Sequence, residues 1–190
     1  MNLKADTTKA WFVPAAQRAI KENNKWRSSF AIKTPEQLPF DCGLQTFAEH
    51  TLAADTTLTL HVPATGTLVL LPTAGAIRYR KDITPEYVIA AGSLLVITQQ
   101  AGQPFTLHNS STTGLANVLA IHIAGNVGNT GVYAIELSRH FGTLVSPIAA
   151  DPNTTCSFQL GIYAGRVEDQ LHHRKDDCLL AYIIEGAFEV

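Results

Sequence analysis

Two of the seven histidines stand where their imidazoles could serve a common site. His61 is the last polar residue of the alternating run Thr57–Val62, and His108 ends the run Pro104–His108. In both runs apolar side chains alternate with polar ones, so each histidine falls on the polar face of a predicted strand. In a closed barrel such a face lines a pocket, whereas in an open sandwich it meets solvent. An exposed or locally hydrogen-bonded imidazole is the alternative to a ligand-binding one.

Other histidines carry weaker signals. His172 and His173 lie in the polar run 170–177, but adjacent residues of a strand point to opposite faces, so only one could face a given ion. A polar turn is predicted there, and the role of both histidines is left open. His122 interrupts the apolar run Leu119–Ile123 and is expected to have a backbone hydrogen-bond partner. No nucleophile motif, P-loop or G-x-G-x-x-G is present.

The composition is that of a folded chain with little charge. Of 190 residues, 46% are hydrophobic and 16% charged, and 14 Lys and Arg against 16 Asp and Glu give a formal net charge of −2. This balance differs from that of disordered chains and of basic nucleic-acid-binding surfaces. No apolar stretch approaches the ~20 residues of a membrane span, and the N-terminus lacks a signal-peptide core. We expect a cytoplasmic protein that binds neither nucleic acid directly nor membranes.

Short alternating runs predict a β-rich fold. The predicted strands are Thr57–Val62, Thr67–Leu71, Gly75–Arg80, Tyr87–Ala90, Leu94–Thr98, Pro104–His108, Asn117–Ile123, Cys156–Tyr163 and Leu179–Ile184. Many short strands at near-regular spacing indicate a sandwich or a barrel. Two helices are predicted, over Pro14–Asn23 and Ala134–Phe141. The stretch Gly125–Pro147 is the predicted inter-domain connection, because a Gly- and Asn-rich run there breaks the strand pattern.

Several segments, taken in order, resemble the pirin-like proteins, which are two-domain members of the cupin superfamily. Lys25–Phe30 is similar to the early Ser-Phe segment of that family, and His61–Asp82 is similar to its His-Pro-His segment and the strand after it. Ala91–Ser110 is similar to the second cupin motif. Ser157–Tyr163 and Ala181–Val190 resemble the opening strands of a second cupin.

The resemblance implies an all-β bicupin built from double-stranded β-helix, or jelly-roll, barrels. Residues 1–135 would hold an N-terminal segment and the first cupin barrel. Residues 136–190 would hold a linker and the opening strands of a second, apparently truncated cupin. A half-built barrel leaves strand edges unpaired, which predicts a homodimer formed through the C-terminal edges.

Members of the family that bind a metal hold an iron-type ion with three histidines and a glutamate, and some cleave flavonols such as quercetin. Carried over by position, these ligands fall on His61, Pro63, His108 and Ser110. The glutamate of the wider superfamily's first motif falls on Thr67. Proline has no donor atom and hydroxyls are poor ligands for such ions, so two imidazoles remain. We therefore expect no metal cofactor, with iron or another divalent metal as the alternative.

The resulting prediction is a pirin-like cupin that acts as a non-metal small-molecule-binding or regulatory protein. Its ligand pocket, a remnant of the N-terminal cupin site, would be lined by His61, Thr67, Tyr79 and His108. Two alternatives stay open: a quercetinase-type metal-dependent dioxygenase that uses His61 and His108, and a metal-independent cupin isomerase or lyase. The sequence names neither catalytic residues nor the ligand, and leaves open whether the protein is an enzyme.

Overall fold

Eleven β-strands and two short 3-10 helices form the regular structure in a computed structural model, which describes residues 13–38, 42–82, 86–136, 139–148, 156–165, 167 and 179–184. In chain order the strands are β1 (Ala19–Glu22), β2 (Trp26–Ile32), β3 (Leu44–Leu52), β4 (Thr56–His61), β5 (Gly66–Ala74), β6 (Ala76–Arg80), β7 (Tyr87–Ala90), β8 (Ser93–Gln99), β9 (Pro104–Asn109), β10 (Ala116–Ile123) and β11 (Gly131–Ala134). The 3-10 helices are Ala15–Gln17 and Pro35–Gln37.

The strands form two antiparallel sheets. Sheet A has the order β1-β2-β3-β10-β5-β8-β11, and sheet B has the order β4-β9-β6-β7. Within β3 to β10 the first strand pairs with the last, the second with the second last, and so on: β3 with β10, β4 with β9, β5 with β8 and β6 with β7. A chain that folds over itself in this way is a jelly roll. The predicted all-β jelly-roll class is therefore confirmed.

The space between the two sheets is filled by apolar side chains. On β4, Leu58 and Leu60 point inward whereas Thr57 and Thr59 point outward, since side chains alternate across a strand. The buried cluster between the sheets comprises Leu52, Leu58, Val62, Leu68, Leu70, Ile77, Tyr79, Ile89, Leu95, Ile97, Phe105, Leu107, Ala116, Val118 and Ala120. Each large side chain buried in this way contributes about 1.5–3 kcal/mol of transfer free energy. These side chains form the hydrophobic core between the sheets.

The outer face of sheet A is also covered, by segments that precede and follow its strands. The rings of Phe47 on β3 and Tyr182 lie 4.4 Å apart, centroid to centroid. Arg18 donates a hydrogen bond of 2.8 Å to the Tyr182 hydroxyl, which in turn donates to Oε2 of Glu49 at 3.1 Å. Residues near both ends of the described chain thus meet on β3, and the central strands of sheet A are buried on both faces.

The predicted helix over Pro14–Asn23 is wrong. The segment forms the 3-10 helix Ala15–Gln17 and then β1, which pairs with β2. Helix propensity is a weak preference, and strand pairing at the edge of sheet A overrides it. The described part of the predicted helix Ala134–Phe141 contains the last residue of β11 and no α-helix.

The predicted C-terminal strands are not formed as strands. Within Cys156–Tyr163 the structure shows one isolated bridge, between Leu160 and Val145, and Leu179–Ile184 has no strand pairing among the described residues. The polar run 170–177 lies outside the described residues. The boundary between residues 135 and 136, the second cupin and the homodimer stay predictions. Within the described ranges no helix has the length and apolar character to cross a membrane.

Asn109, the last residue of β9, ties two loops to the core. Its fully buried amide nitrogen Nδ2 lies 3.1 Å from the carbonyl of Leu52, 3.0 Å from that of Ala53 and 2.8 Å from that of Gly114. Its Oδ1 accepts a hydrogen bond from the Ser111 backbone N–H at 3.1 Å. One side chain therefore forms hydrogen bonds with the backbone at the end of β3 and with the backbone of the loop between β9 and β10.

We expect Asn109→Ala to lower the free energy of unfolding by about 3 kcal/mol, because several buried backbone groups lose their only side-chain partner. Chemical denaturation followed by circular dichroism measures the change. The matched control is Asn129→Ala at an exposed asparagine, which should stay within about 0.5 kcal/mol of the unmodified protein. Equal stability of the two variants would show that the hydrogen bonds of Asn109 do not stabilise the fold.

Candidate functional site

Two of the four predicted pocket residues belong to the packed parts of the structure. Tyr79 is completely buried between the sheets, where its hydroxyl accepts a hydrogen bond from Nε2 of Gln99. Burial raises the pKa of the Tyr79 hydroxyl well above its ordinary value of 10.0. Thr67 is buried on β5, in line with residues of the outer face of sheet A, and its hydroxyl donates to the carbonyl of Gly125 at 2.6 Å.

The two predicted histidines point to the outer face of sheet B. His61 is exposed and lies opposite Pro104. His108 is half-buried, and its Nδ1 lies 3.0 Å from the hydroxyl oxygen of Thr57. The polar faces predicted for both strands are correct, and they meet solvent because the apolar faces of the same strands fill the interior. The structure does not bring the four predicted side chains together.

The residues at the family's metal-binding positions do not fit a metal centre. His108 lies opposite Thr57, four residues along β4 from His61, so the two histidines are about 13 Å apart along the sheet. Pro63 has no donor side chain, and the hydroxyl of Ser110 accepts a hydrogen bond from Nε of Arg78 at 3.3 Å. In the part of the chain that the structure describes, no three His, Cys, Asp or Glu side chains gather as metal ligands do.

An open groove of about 580 Å³ lies on the outer face of sheet B. It is lined by Thr57, Arg78, Arg80, Asp82, Glu86, Pro104, Phe105, Thr106 and His108. The strand register explains this composition, because Thr57, His108 and Arg78 are neighbours across β4, β9 and β6, and Thr106 is opposite Arg80. Its volume is within the usual range of small-molecule sites, about 300–1,000 Å³. Of the four predicted site residues, His108 alone lines this groove.

The two arginines of the groove differ in their contacts. Nη1 of Arg78 lies 3.2 Å from Oε1 of Glu86, and its Nε donates to the Ser110 hydroxyl. This exposed ion pair contributes at most about 1 kcal/mol to stability, but it fixes the direction of the side chain. The backbone carbonyl of Arg80 accepts a hydrogen bond from the Thr106 hydroxyl at 3.4 Å. Its guanidinium has no ion pair or hydrogen bond among the described residues.

These arginines were missed as site residues although the sequence carries a signal for them. The predicted strand Gly75–Arg80 alternates Ile77 and Tyr79 with Arg78 and Arg80, which places both guanidinium groups on one polar face. The alternation does not show that β6 pairs with β9. That pairing places the two arginines beside His108.

Two further histidines lie inside the fold, on the inner face of sheet A. Nδ1 of His50 is 2.8 Å from the hydroxyl of Ser28, and burial lowers the pKa of His50 from 6.5 to about 4. His122 is fully buried and neither of its ring nitrogens has a hydrogen-bond partner in the described structure, so the predicted backbone partner is wrong. Burial lowers the pKa of His122 to about 4. Both imidazoles are therefore neutral at pH 7.

The chain is thus a jelly roll, the architecture that cupins share, with a packed interior and a polar groove on the outside. Similar solved structures include the bacterial pirin YhhW from Escherichia coli in complex with nickel(II), with 13% identity, a TM-score of 0.49 and coverage of 62% of this chain and 54% of that one. Ectoine synthase from P. lautus has 11% identity, a TM-score of 0.41 and coverage of 55% and 68%.

Vicilin from the hazelnut Corylus avellana is a further similar structure, with 15% identity, a TM-score of 0.45 and coverage of 62% of this chain and 34% of that one. The chain spans about half the length of that pirin, 54%. No family model and no curated protein matches the sequence.

The buried histidines predict that acid destabilises the fold. Between pH 6.5 and 4, His50 and His122 bind protons in the unfolded chain but stay neutral in the folded one. The free energy of unfolding is therefore greatest above pH 6.5 and falls as the pH drops to about 4. Each imidazole accounts for about 3 kcal/mol of that loss. Denaturation curves measured across this pH range should show a smaller loss of unfolding free energy for His122→Leu than for the unmodified protein. The same pH dependence of the unfolding free energy in both proteins would contradict the prediction.

Proposed function

We propose that the protein is a non-metal jelly-roll protein of the cupin type that binds a small molecule in the groove on the outer face of sheet B. The observation that carries the proposal is the Arg80 guanidinium in this groove, which makes no ion pair or hydrogen bond with the described chain. Between the sheets, by contrast, most of the buried side chains are apolar and belong to one core cluster. A regulatory role would follow from ligand binding at the surface.

The groove favours binding over catalysis. It is open to solvent, whereas enzymes usually exclude water from the reacting atoms. Its one imidazole, His108, contacts a threonine hydroxyl and not the carboxylate that orients the base in a catalytic triad. The carboxylate of Glu86 is already paired with Arg78. These side chains suit recognition of a polar ligand at a rigid surface, where cross-strand pairing holds each of them in place.

The proposal that the protein binds no metal cofactor predicts a low metal content in the purified protein. Protein prepared without an affinity tag or chelator should contain well below one iron, manganese, nickel or zinc ion per chain, because its two candidate imidazoles are too far apart to share an ion. Elemental mass spectrometry measures this, with the double variant His61→Ala/His108→Ala as control. About one ion per chain that is lost in the double variant would overturn the proposal in favour of a metal-dependent oxygenase.

The location of the groove predicts where ligands bind. In a fragment screen followed by nuclear magnetic resonance of ¹⁵N-labelled protein, we expect binders to shift the amide signals of Arg78, Thr106 and His108. Thr106→Trp would fill the groove with an indole and weaken such binding at least tenfold. The matched control is Thr98→Trp at an exposed position of β8 in sheet A, which should bind normally. Binding that maps elsewhere, or that survives in Thr106→Trp, would contradict the site.

A further inference from the structure

We infer that the ligand of this groove carries an acidic group, a carboxylate or a phosphate, held between the guanidinium of Arg80 and Nε2 of His108. The inference rests on the proposed function and adds the chemical class of the ligand.

The first support is that the guanidinium donors of Arg80 are unused in the described structure. A guanidinium has five N–H donors in a planar fork that matches the oxygens of a carboxylate or a phosphate. The neighbouring Arg78 uses its donors on Glu86 and Ser110, whereas Arg80 uses none on the described chain. Within the groove Arg80 is thus the side chain with the most unused donors.

The second support is the orientation of His108. Its Nδ1 is held by the Thr57 hydroxyl at 3.0 Å, which fixes the ring and leaves Nε2 without a partner among the described residues. A hydroxyl can donate or accept, so either imidazole tautomer satisfies this contact. When Thr57 donates to Nδ1, the proton of the neutral ring is on Nε2 and can be donated to an anion. An acidic ligand selects that tautomer.

The third support is the spacing of the two donors. Arg80 lies opposite Thr106, and His108 is two residues further along β9 on the same face. Such diagonal neighbours are about 7–8 Å apart, within the reach of long side chains. One acidic group can therefore contact both residues at once. Thr106 lies between them, and its hydroxyl is directed to the Arg80 carbonyl at 3.4 Å.

The groove also contains two acidic side chains, Asp82 and Glu86. Glu86 forms an ion pair with Arg78 at 3.2 Å. Asp82 lies two residues after Arg80, beyond the end of β6, and has a left-handed backbone conformation with φ of 45°. A ligand with one acidic end and a hydroxyl or amide donor at the other end would match both Arg80 and Asp82.

Titration of ¹⁵N-labelled protein at constant ionic strength tests this inference, with inorganic phosphate and succinate as acidic probes and succinamide as the neutral analogue of succinate. We expect saturable shifts at the groove residues with phosphate or succinate and none with succinamide. Arg80→Gln should raise the dissociation constant at least tenfold. The control is Arg27→Gln on β2, an exposed arginine paired with Glu22 at 3.5 Å, which should bind like the unmodified protein.

The outcomes separate this inference from the proposed function. Succinamide that binds as tightly as succinate, or Arg80→Gln that binds like the unmodified protein, would overturn the acidic-group inference and leave the groove as a site for neutral ligands. Equal loss in Arg27→Gln and Arg80→Gln would also overturn it, because binding would then reflect overall charge. Absence of groove binding by the probes and by every compound of the fragment screen would overturn both proposals.

Discussion

Apolar packing between the two sheets fixes which face of each jelly-roll strand is buried. Leu58 on β4 and Leu107 on β9 belong to this packing, and because side chains alternate with a period of two, Thr57 and His108 are turned outward. Burial of apolar surface between the sheets therefore stabilises the fold, and the polar side chains of these strands of sheet B lie on its outer face.

The strands that were predicted from the sequence either alternate apolar and polar residues, as β4 and β6 do, or contain a continuous apolar run, as β8 does. The strands that were missed show neither pattern clearly. All four residues of β1 are exposed, so that strand has no hydrophobic pattern and depends on pairing with β2. In β3 the alternation is obscured because His50 faces the interior beside Ser28. The opposite error concerns the segment Leu179–Ile184. Its apolar residues predict a strand, but it has no partner strand in the described structure.

The candidate site was only partly accessible from the sequence for a similar reason. The alternation placed His108 and Arg80 on polar faces, but it is the same for a lined pocket and for a solvent-facing sheet. Deciding between them requires the position of the second sheet, and bringing Arg80 beside His108 requires the pairing of β6 with β9. Both are long-range features. The unpaired imidazole of His122 also has no sequence signature, because a partner is the usual expectation for a buried polar group.

The position of β10 has a consequence for how the protein is made. β10 (Ala116–Ile123) lies between β3 and β5 in sheet A and pairs with both, so those two strands are not paired with each other. While the ribosome is still synthesising the residues before β10, the emerging chain presents two open strand edges that have no partner within it. Sheet A can close only after most of the described chain has been synthesised. Translation that stalls before residue 116 would therefore release an aggregation-prone product and not a smaller folded unit.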